Sequence, residues 1–403
     1  MNDSDPTTRA EWRTAFALAA VFFMRMLGLF MVVPVLGRYV QHFEAATPLL
    51  IGLALGVYGA TQASLQIPFG RWSDRVGRKP VISVGLLVFM AGSLLCAVAA
   101  NAASIWGVVV GRAIQGAGAV SGTTLALAAD LTRATQRTKT MAVIGICIGA
   151  AFSVAFVVGP LLDAHFGLAG VFLASAGLGL AALVLLWACV PTPNAEHLDA
   201  GPTATPPELS GDRHELLRLQ MGVLFLHMAL TASFVSIPVV LSQELSLAAN
   251  HDFKIYLPVL LLSVVALGPA LSLARRPAWS GRVFAGAIVC VGLGELLLWL
   301  VPARVWPIGA ALTLFFTGFN FLEASLPSQI SRAAPAARKG AALGAYSTGQ
   351  FIGMFVGGVS GGWIASHLGT RAVFAAVAVL CLCWWTLTVR RPATHPPVAT
   401  ARA

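Results

Sequence analysis

Charge is scarce in this 403-residue chain: Asp, Glu, Lys and Arg together make up 10% of it, against about 25% in typical soluble domains. With 57% of its residues hydrophobic, the chain cannot cover a surface facing water on every side, which excludes a soluble globular protein. Catalytic constellations are also missing. There is no phosphate-cradling Gly-x-x-x-x-Gly-Lys and no His/Cys cluster at metal-ligand spacing, so neither an enzyme nor a bound metal or cofactor is expected. Without a nucleotide motif, any work the protein does must draw on an ion gradient. The six cysteines, Cys96, Cys147, Cys189, Cys290, Cys381 and Cys383, all fall in apolar stretches and read as small buried hydrophobes rather than a disulfide framework. The first apolar stretch, 14–36, is too long for a signal-peptide core and ends in Val-Pro-Val-Leu-Gly, so it is expected to be retained.

What is present is a net charge of +10, and its placement decides its meaning. Twelve apolar spans are read at about 14–36, 50–70, 81–100, 105–129, 140–162, 167–190, 219–242, 255–274, 282–301, 307–330, 340–363 and 371–390, each near the roughly 20 residues that cross a bilayer. Of the 26 basic residues, 20 fall in one set of loops. Only Arg38, Lys254, Arg304 and Arg371 fall in the other, and Arg25 and Arg112 lie inside spans. That asymmetry puts both termini in the cytoplasm and gives a nucleic-acid partner no support. The spans divide into bundles at 1–190 and 219–390. Between them, residues 191–218 hold five prolines and five acids without apolar periodicity, a flexible linker, and 391–403 form a tail.

The densest charge lies between spans 2 and 3, where Gly70-Arg71-Trp72-Ser73-Asp74-Arg75-Val76-Gly77-Arg78-Lys79 sets one acid among four bases. The glycines permit a tight reversal, and the lone acid suits a switchable contact better than plain solvation does. The order Gly-x-x-x-Asp-Arg-x-Gly-Arg-Lys resembles the signature loop of the major facilitator superfamily at every defining position. The resemblance implies an all-α membrane fold of twelve helices in two pseudo-symmetric six-helix bundles, with a substrate site between them at the bilayer midplane. Within that superfamily the chain is most similar to YajR-type drug:proton antiporters. The closer match rests on Met24-Arg25-Met26-Leu27-Gly28, Pro34-Val35-Leu36, Gln66-Ile67-Pro68-Phe69-Gly70, Asp130-Leu131-Thr132-Arg133, Tyr346-Ser347-Thr348 and Gln350-Phe351. Members of that group can carry a soluble C-terminal domain. This sequence stops thirteen residues after Arg390, so regulation through such a domain is expected to be absent.

Further motifs carry the expectation of coupled transport. Span 4 contains Gly111-Arg112-Ala113-Ile114-Gln115-Gly116, similar to the arginine motif linked to proton coupling, and an arginine there must pair, find water or tune an acid. Span 5 carries Gly145-x-x-x-Gly149 and Gly159-Pro160, similar to the antiporter motif, although Asp163-Ala164 replaces the glycine pair that ends the family pattern. Gly52 and Gly56 in span 2, with Gly349, Gly353, Gly357 and Gly361 in span 11, form smooth ridges expected to meet between the bundles. Of the five ionisable residues inside spans, Arg25, Arg112, His227 and Glu323 fall on spans 1, 4, 7 and 10, which line the cavity in the superfamily; His227 and Glu323 can both change charge. Glu295, on span 9, is expected in a structural or lipid-interface role. Asp74 is expected to latch the bundles near Arg338-Lys339-Gly340, with Asp130 holding Arg78.

The reading is a monomeric proton-coupled exporter of small amphiphilic compounds in a bacterial inner membrane, whose partners are substrate, protons and lipid. The alternatives are proton-coupled uptake or sugar efflux on the same fold, and a membrane sensor that transports nothing.

Overall fold

The computed structural model describes residues 9–132, 136–192, 213–248, 251–335 and 339–389. Arg133, Arg338, most of the linker and the tail lie outside the described residues. Among those described there is no strand, only an isolated bridge between Glu44 and Ser104. The first bundle contains α1 (Arg9–Phe30), the single turn α2 (Val33–Leu36), α3 (Pro48–Val76), α4 (Arg78–Asn101), α5 (Ile105–Ala117), α6 (Ser121–Asp130) and α7 (Arg137–Cys189). The second contains α8 (Arg213–Val239), α9 (Phe253–Ala274), α10 (Pro277–Leu300), α11 (Val305–Ala333), α12 (Lys339–Leu368) and α13 (Ala372–Val389).

Ten stretches are long and apolar enough to cross a membrane. Two further passes are concealed. The long α7 reverses at Gly167, whose φ of 64° and ψ of −178° break the helix, so it holds spans 5 and 6. The short α5 and α6 meet end to end and make span 4. Among the described residues ten segments meet the length and hydropathy of a span, and the division of α7 and the α5–α6 pair are where the two remaining expected passes fall. Helix starts follow local chemistry: Thr47 accepts from the Leu50 N–H at 3.2 Å ahead of Pro48, and Ser104 accepts from the Gly107 N–H at 3.2 Å. At the signature loop, Gly77 with φ 99° turns α3 into α4 with no intervening coil. The helix α8 begins at Arg213, earlier than its apolar run, with Glu215 in its first turn paired to Arg218 at 2.5 Å.

One end of the molecule carries the signature loop and is the basic end. At the opposite end the two bundles are pressed together. A Cβ on Gly52 would lie 2.1 Å from the Gly358 carbonyl, and one on Gly362 2.6 Å from that of Pro48, so α3 and α12 touch backbone to backbone there. The Leu49 N–H donates to Ser366 at 3.0 Å, and Gly37 packs under Val235 and Pro238. Toward the basic end α3 and α12 keep a thinner contact, the long bond from Gln66 to the Gly344 carbonyl at 3.5 Å. Gly145 and Gly149 on α7, Gly268 on α9 and Gly344 on α12 all face open space, and a groove of about 330 Å³ lies between Ala60 and Ser64 on α3 and Thr348 and Ile352 on α12. The arrangement is closed at the opposite end and looser at the basic end. Large apolar side chains such as Leu262, Val265 and Trp306 point outward, as a lipid-facing surface requires. Of the six cysteines only Cys96 and Cys381 are buried; Cys189 and Cys383 face outward, a place that bilayer contact makes harmless for a small apolar thiol.

Candidate functional site

The glycine ridge of α12 turns out to serve two neighbours. Gly353, Gly357 and Gly361 face Leu224, Met228 and Ala232 of α8 inside the second bundle, while Gly349 is only loosely placed near Gln220. The glycines of α12 that meet α3 across the bundles are Gly358 and Gly362, one position further on and so about 100° around the helix, with Phe351 and Phe355 continuing the same contact against Gly59 and Gly56. Gly52 and Gly56 sit on that inter-bundle contact as expected.

Where the bundles close, aromatic rings fill the gap. Phe152 and Phe156, one turn apart on α7, meet Phe316 and Phe319 of α11, Phe234 of α8 and Tyr256 of α9. Phe152 stacks on Phe319 at 5.2 Å, and Phe156 meets Phe234 edge-on at 4.8 Å. Phe30, from α1, stands edge-on to Phe152 at 5.1 Å. Such ring pairs add roughly 0.5–1.5 kcal/mol each beyond their burial. This plug is absent from the sequence reading, although the i, i+1, i+4 spacing of Phe315, Phe316 and Phe319 is a signal that could have found it.

Against the plug lies a polar group made by three helices of the second bundle. His227 of α8 is 1% exposed and meets the Phe319 ring at 6.0 Å. Its Nδ1 is 3.1 Å from the Val223 carbonyl, which can only accept, so Nδ1 carries a hydrogen. In the neutral ring Nε2 is then the acceptor, and Gln350 Nε2 of α12 donates to it at 2.8 Å. Glu323 Oε2 of α11 stands 3.5 Å from the same nitrogen and has no hydrogen-bond partner of its own, while Glu323 Oε1 accepts from Tyr346 at 3.2 Å. A proton added at Nε2 cannot coexist with the Gln350 donor and has the open carboxylate oxygen beside it. The group therefore has two hydrogen-bonding states that differ by one proton.

The two membrane arginines are placed differently. Arg25 is 2% exposed and donates to Ser121 at 2.7 Å, Gln62 at 2.7 Å, Tyr58 at 2.9 Å and the Gly118 carbonyl at 3.3 Å. Arg112, fully buried, donates to Gln115 at 2.7 Å and to the Ala54 carbonyl at 3.2 Å, with its guanidinium 4.9 Å from the Tyr58 ring. Both are enclosed by neutral oxygens within the first bundle. Among the described residues no hydrogen bond or ion pair joins either to His227 or Glu323, and their geometry is that of fasteners between α1, α3 and span 4. Glu295 is likewise inside rather than at the lipid: it is 0% exposed and meets Ser233 of α8 at 2.7 Å.

At the basic end, Arg78 organises the signature loop. Its Nε donates to Asp130 at 3.0 Å and its Nη1 to Ser73 at 2.7 Å, and Asp74 pairs with it at 2.5 Å. Lys79 is buried, donating to the Val190 carbonyl at 2.7 Å and lying 4.6 Å from the Trp187 ring. Arg75 is exposed, and Gly70 has open space around it. The expected partner of Asp74 near Arg338 lies outside the described residues. In span 5, Gly159 brings α7 onto the Met31 carbonyl, while Pro160 sits within the helix and Gly145 and Gly149 border the looser half. One string, Gly358-Val359-Ser360-Gly361-Gly362, has the form of a hydrolase nucleophile elbow. It lies inside α12, where Ser360 bonds the Gly357 carbonyl, and not on the strand-to-helix turn such a nucleophile needs.

Comparison with known proteins gives a consistent picture. The family model described as Major Facilitator Superfamily matches residues 18–358 and 282–403. The chain is 41% identical to the inner membrane transport protein YajR of Escherichia coli K12, over 100% of this chain and 87% of that protein. It is 31% identical to the class E tetracycline resistance protein of Escherichia coli, over 46% of each chain. A bacterial homolog of the human lysosomal transporter Spinster, crystallised inward-facing and occupied, superimposes with a TM-score of 0.75 at 13% identity, covering 96% of this chain and 98% of that one.

Proposed function

Because the chain belongs to the major facilitator superfamily, we propose that this membrane transporter is a proton-coupled exporter of small amphiphilic compounds working by alternating access. The observation that carries the proposal is the His227–Glu323–Gln350–Tyr346 group lying directly against the Phe319 ring of the inter-bundle plug.

The orientation follows from charge: the basic end is the cytoplasmic one, so the plug closes the outer side and the looser end faces the cytoplasm. Substrate enters from the cytoplasm and reaches aromatic surface on Phe152 and Phe319 with Glu323 beside it. A proton arriving at the His227–Glu323 pair exchanges the Gln350 contact for a His227–Glu323 one, and this change in contacts is the differential interaction that shifts the balance of states. Substrate and proton then occupy the same locus in turn, which is the logic of an antiporter. The resistance to tetracycline in the name of one relative fits a carrier of small amphiphilic compounds. The test is transport in proteoliposomes with an imposed pH gradient, using a panel of compounds first selected by thermal shift. Exchange that follows the sign of the gradient supports the proposal. Uptake coupled to proton entry, or binding with no flux at all, overturns it.

A further inference from the structure

The closed end holds a second group of buried charges that the exchange site does not use. Arg38, in the turn after α2, reaches across the bundles to Asp252 at the start of α9, with Nε at 2.7 Å and Nη2 at 2.5 Å from its two oxygens; Nη2 also donates to the Leu247 carbonyl at 3.1 Å. The pair is deeply placed, its side chains 10% and 1% exposed. Next to it, Tyr39 donates its only hydroxyl hydrogen to Asp163 of α7 at 2.6 Å and accepts from the Leu168 N–H at 3.0 Å. Asp163 is 7% exposed, lies within the field of both Arg38 and Asp252, and is the acid that stands where the antiporter pattern has glycine.

Two carboxyl groups therefore face one guanidinium out of water. Burying both as anions leaves one negative charge that Arg38 does not balance and that only the exposed His42 approaches, a cost that one bound proton removes. A further group points the same way. The Tyr256 hydroxyl is completely buried, has no hydrogen-bond partner and stands within the field of Asp252, while its ring belongs to the aromatic plug. The other titratable groups here are Tyr39 and His42 from the stretch after α2, with His251 and Lys254 exposed on the segment of Asp252 itself.

We propose that Arg38, Asp252 and Asp163 form a second proton-binding site, distinct from His227 and Glu323, that fills as the outer ends of the two bundles close. Burial lifts the Asp252 carboxyl from its ordinary 3.8 to about 6; the bond and charge of Arg38 pull it down, and Asp163 pushes it further up. The sign follows from linkage. When the bundles part, Asp252 returns to water and toward its ordinary value, so the closed arrangement is the one that holds the proton more tightly. Acid favours closure. The gain is complete below the ordinary carboxylate value and is lost as pH rises through about 6. A proton taken from the outside would thus help close the outer side, the direction an exporter's return step requires, and the neutral carboxyl still accepts from Arg38.

The proposal takes from the export reading only the orientation of the two ends, and its test is independent of transport. Spin labels at Phe166→Cys and Trp306→Cys, both exposed at the closed end in opposite bundles, would report closure in nanodiscs after the native cysteines are replaced. The background carries His227→Gln and Glu323→Gln so that the exchange site cannot titrate. The short-distance population should grow as pH falls from about 8 to about 3.5, with a midpoint between about 6 and the ordinary 3.8. Asp252→Asn should make the distribution independent of pH, Asp252→Glu should keep a midpoint, and Asp163→Asn should move it to lower pH. A flat profile without the Asp252 and Asp163 changes, a midpoint that persists in Asp252→Asn, or one that Asp163→Asn leaves in place would each overturn the proposal. If transport proves independent of protons while the midpoint behaves as described, the export reading fails and this site stands.

Discussion

Phe152 of the first bundle stacks on Phe319 of the second at 5.2 Å, and the same Phe319 ring has His227 edge-on at 6.0 Å. One aromatic side chain thus joins the titratable group to the surface across which the bundles must part. Removing the ring should loosen the closure and unlink it from the proton. Phe319→Ala is expected to lower the unfolding temperature, since burial-to-cavity changes of this kind cost about 3–5 kcal/mol. It should also speed labelling of a cysteine at the buried Ser236 by an impermeant reagent added from outside. Unchanged labelling with a lowered unfolding temperature would mean that the ring only supports the core.

Glu323→Gln keeps the shape of the side chain and its bond to Tyr346 but cannot change charge. Proton-driven exchange should disappear, while expression and elution stay as they are and counterflow of substrate without a gradient persists. If vesicles carrying this variant still move protons with substrate, the coupling lies elsewhere. His227→Gln should weaken the gradient dependence and leave less effect on counterflow.

Arg112 separates fastening from coupling. Its fork bonds Gln115 and the Ala54 carbonyl while the guanidinium lies over Tyr58, and Lys retains the charge but not the planar fork. Arg112→Lys should lose roughly 2–4 kcal/mol of stability through unmet buried acceptors, with the pH profile of whatever transport remains left in place. A shifted pH profile at normal stability would instead give Arg112 a direct part in coupling.

Gly358 tests the backbone contact between α3 and α12. A Cβ there would lie 2.3 Å from the Gly52 carbonyl, so Gly358→Val cannot be absorbed while the outer side is closed. Overpacking of this kind costs about 1–3 kcal/mol, which corresponds to roughly five- to 150-fold in the balance of states. The distance distribution should move toward the open arrangement, and Gly361→Val, which faces α8 inside one bundle, should reduce stability without that redistribution.

Asp74 is 59% exposed and rests on Arg78 in the same loop, the place expected for a latch acid while the cytoplasmic side is open. Asp74→Asn should raise cysteine labelling of the cytoplasmic cavity in the ensemble and slow transport, because the acid then has nothing to offer the second bundle when that side closes. A C-terminal reporter should be cytoplasmic and one inserted near Asn250 external. Equal labelling of the cavity with and without the substitution would remove the latch from the cycle.

The architecture was legible because charge placement and span length are set by the bilayer, and a strict motif marked the loop between α3 and α4. The expected Arg78–Asp130 pair forms, although the two lie 52 positions apart. Residues whose roles depend on three-dimensional neighbours were harder to read. Helical phase alone did not show that Gly353 faces α8 while Gly358 faces α3. Arg25 and Arg112 sit on the expected spans, but the oxygens of Tyr58, Gln62 and Gln115, ordinary residues in the sequence, turn them inward. Asp163 read as a defect in a pattern; only its pairing with Tyr39, 124 positions away, shows it beside Arg38 and Asp252.

Spans 5 and 6 meet at Gly167 without any connecting loop, and the Tyr39 hydroxyl takes up the Leu168 N–H that the break leaves free. The chain has no slack there. Lengths of sequence that other reversals could absorb as surface excursions would here force the two passes apart and pull Leu168 off its acceptor, so this corner is closed to inserted tags, epitopes and evolutionary length change alike. The two passes consequently have no slack segment between them: one glycine fixes where the first ends and the second begins.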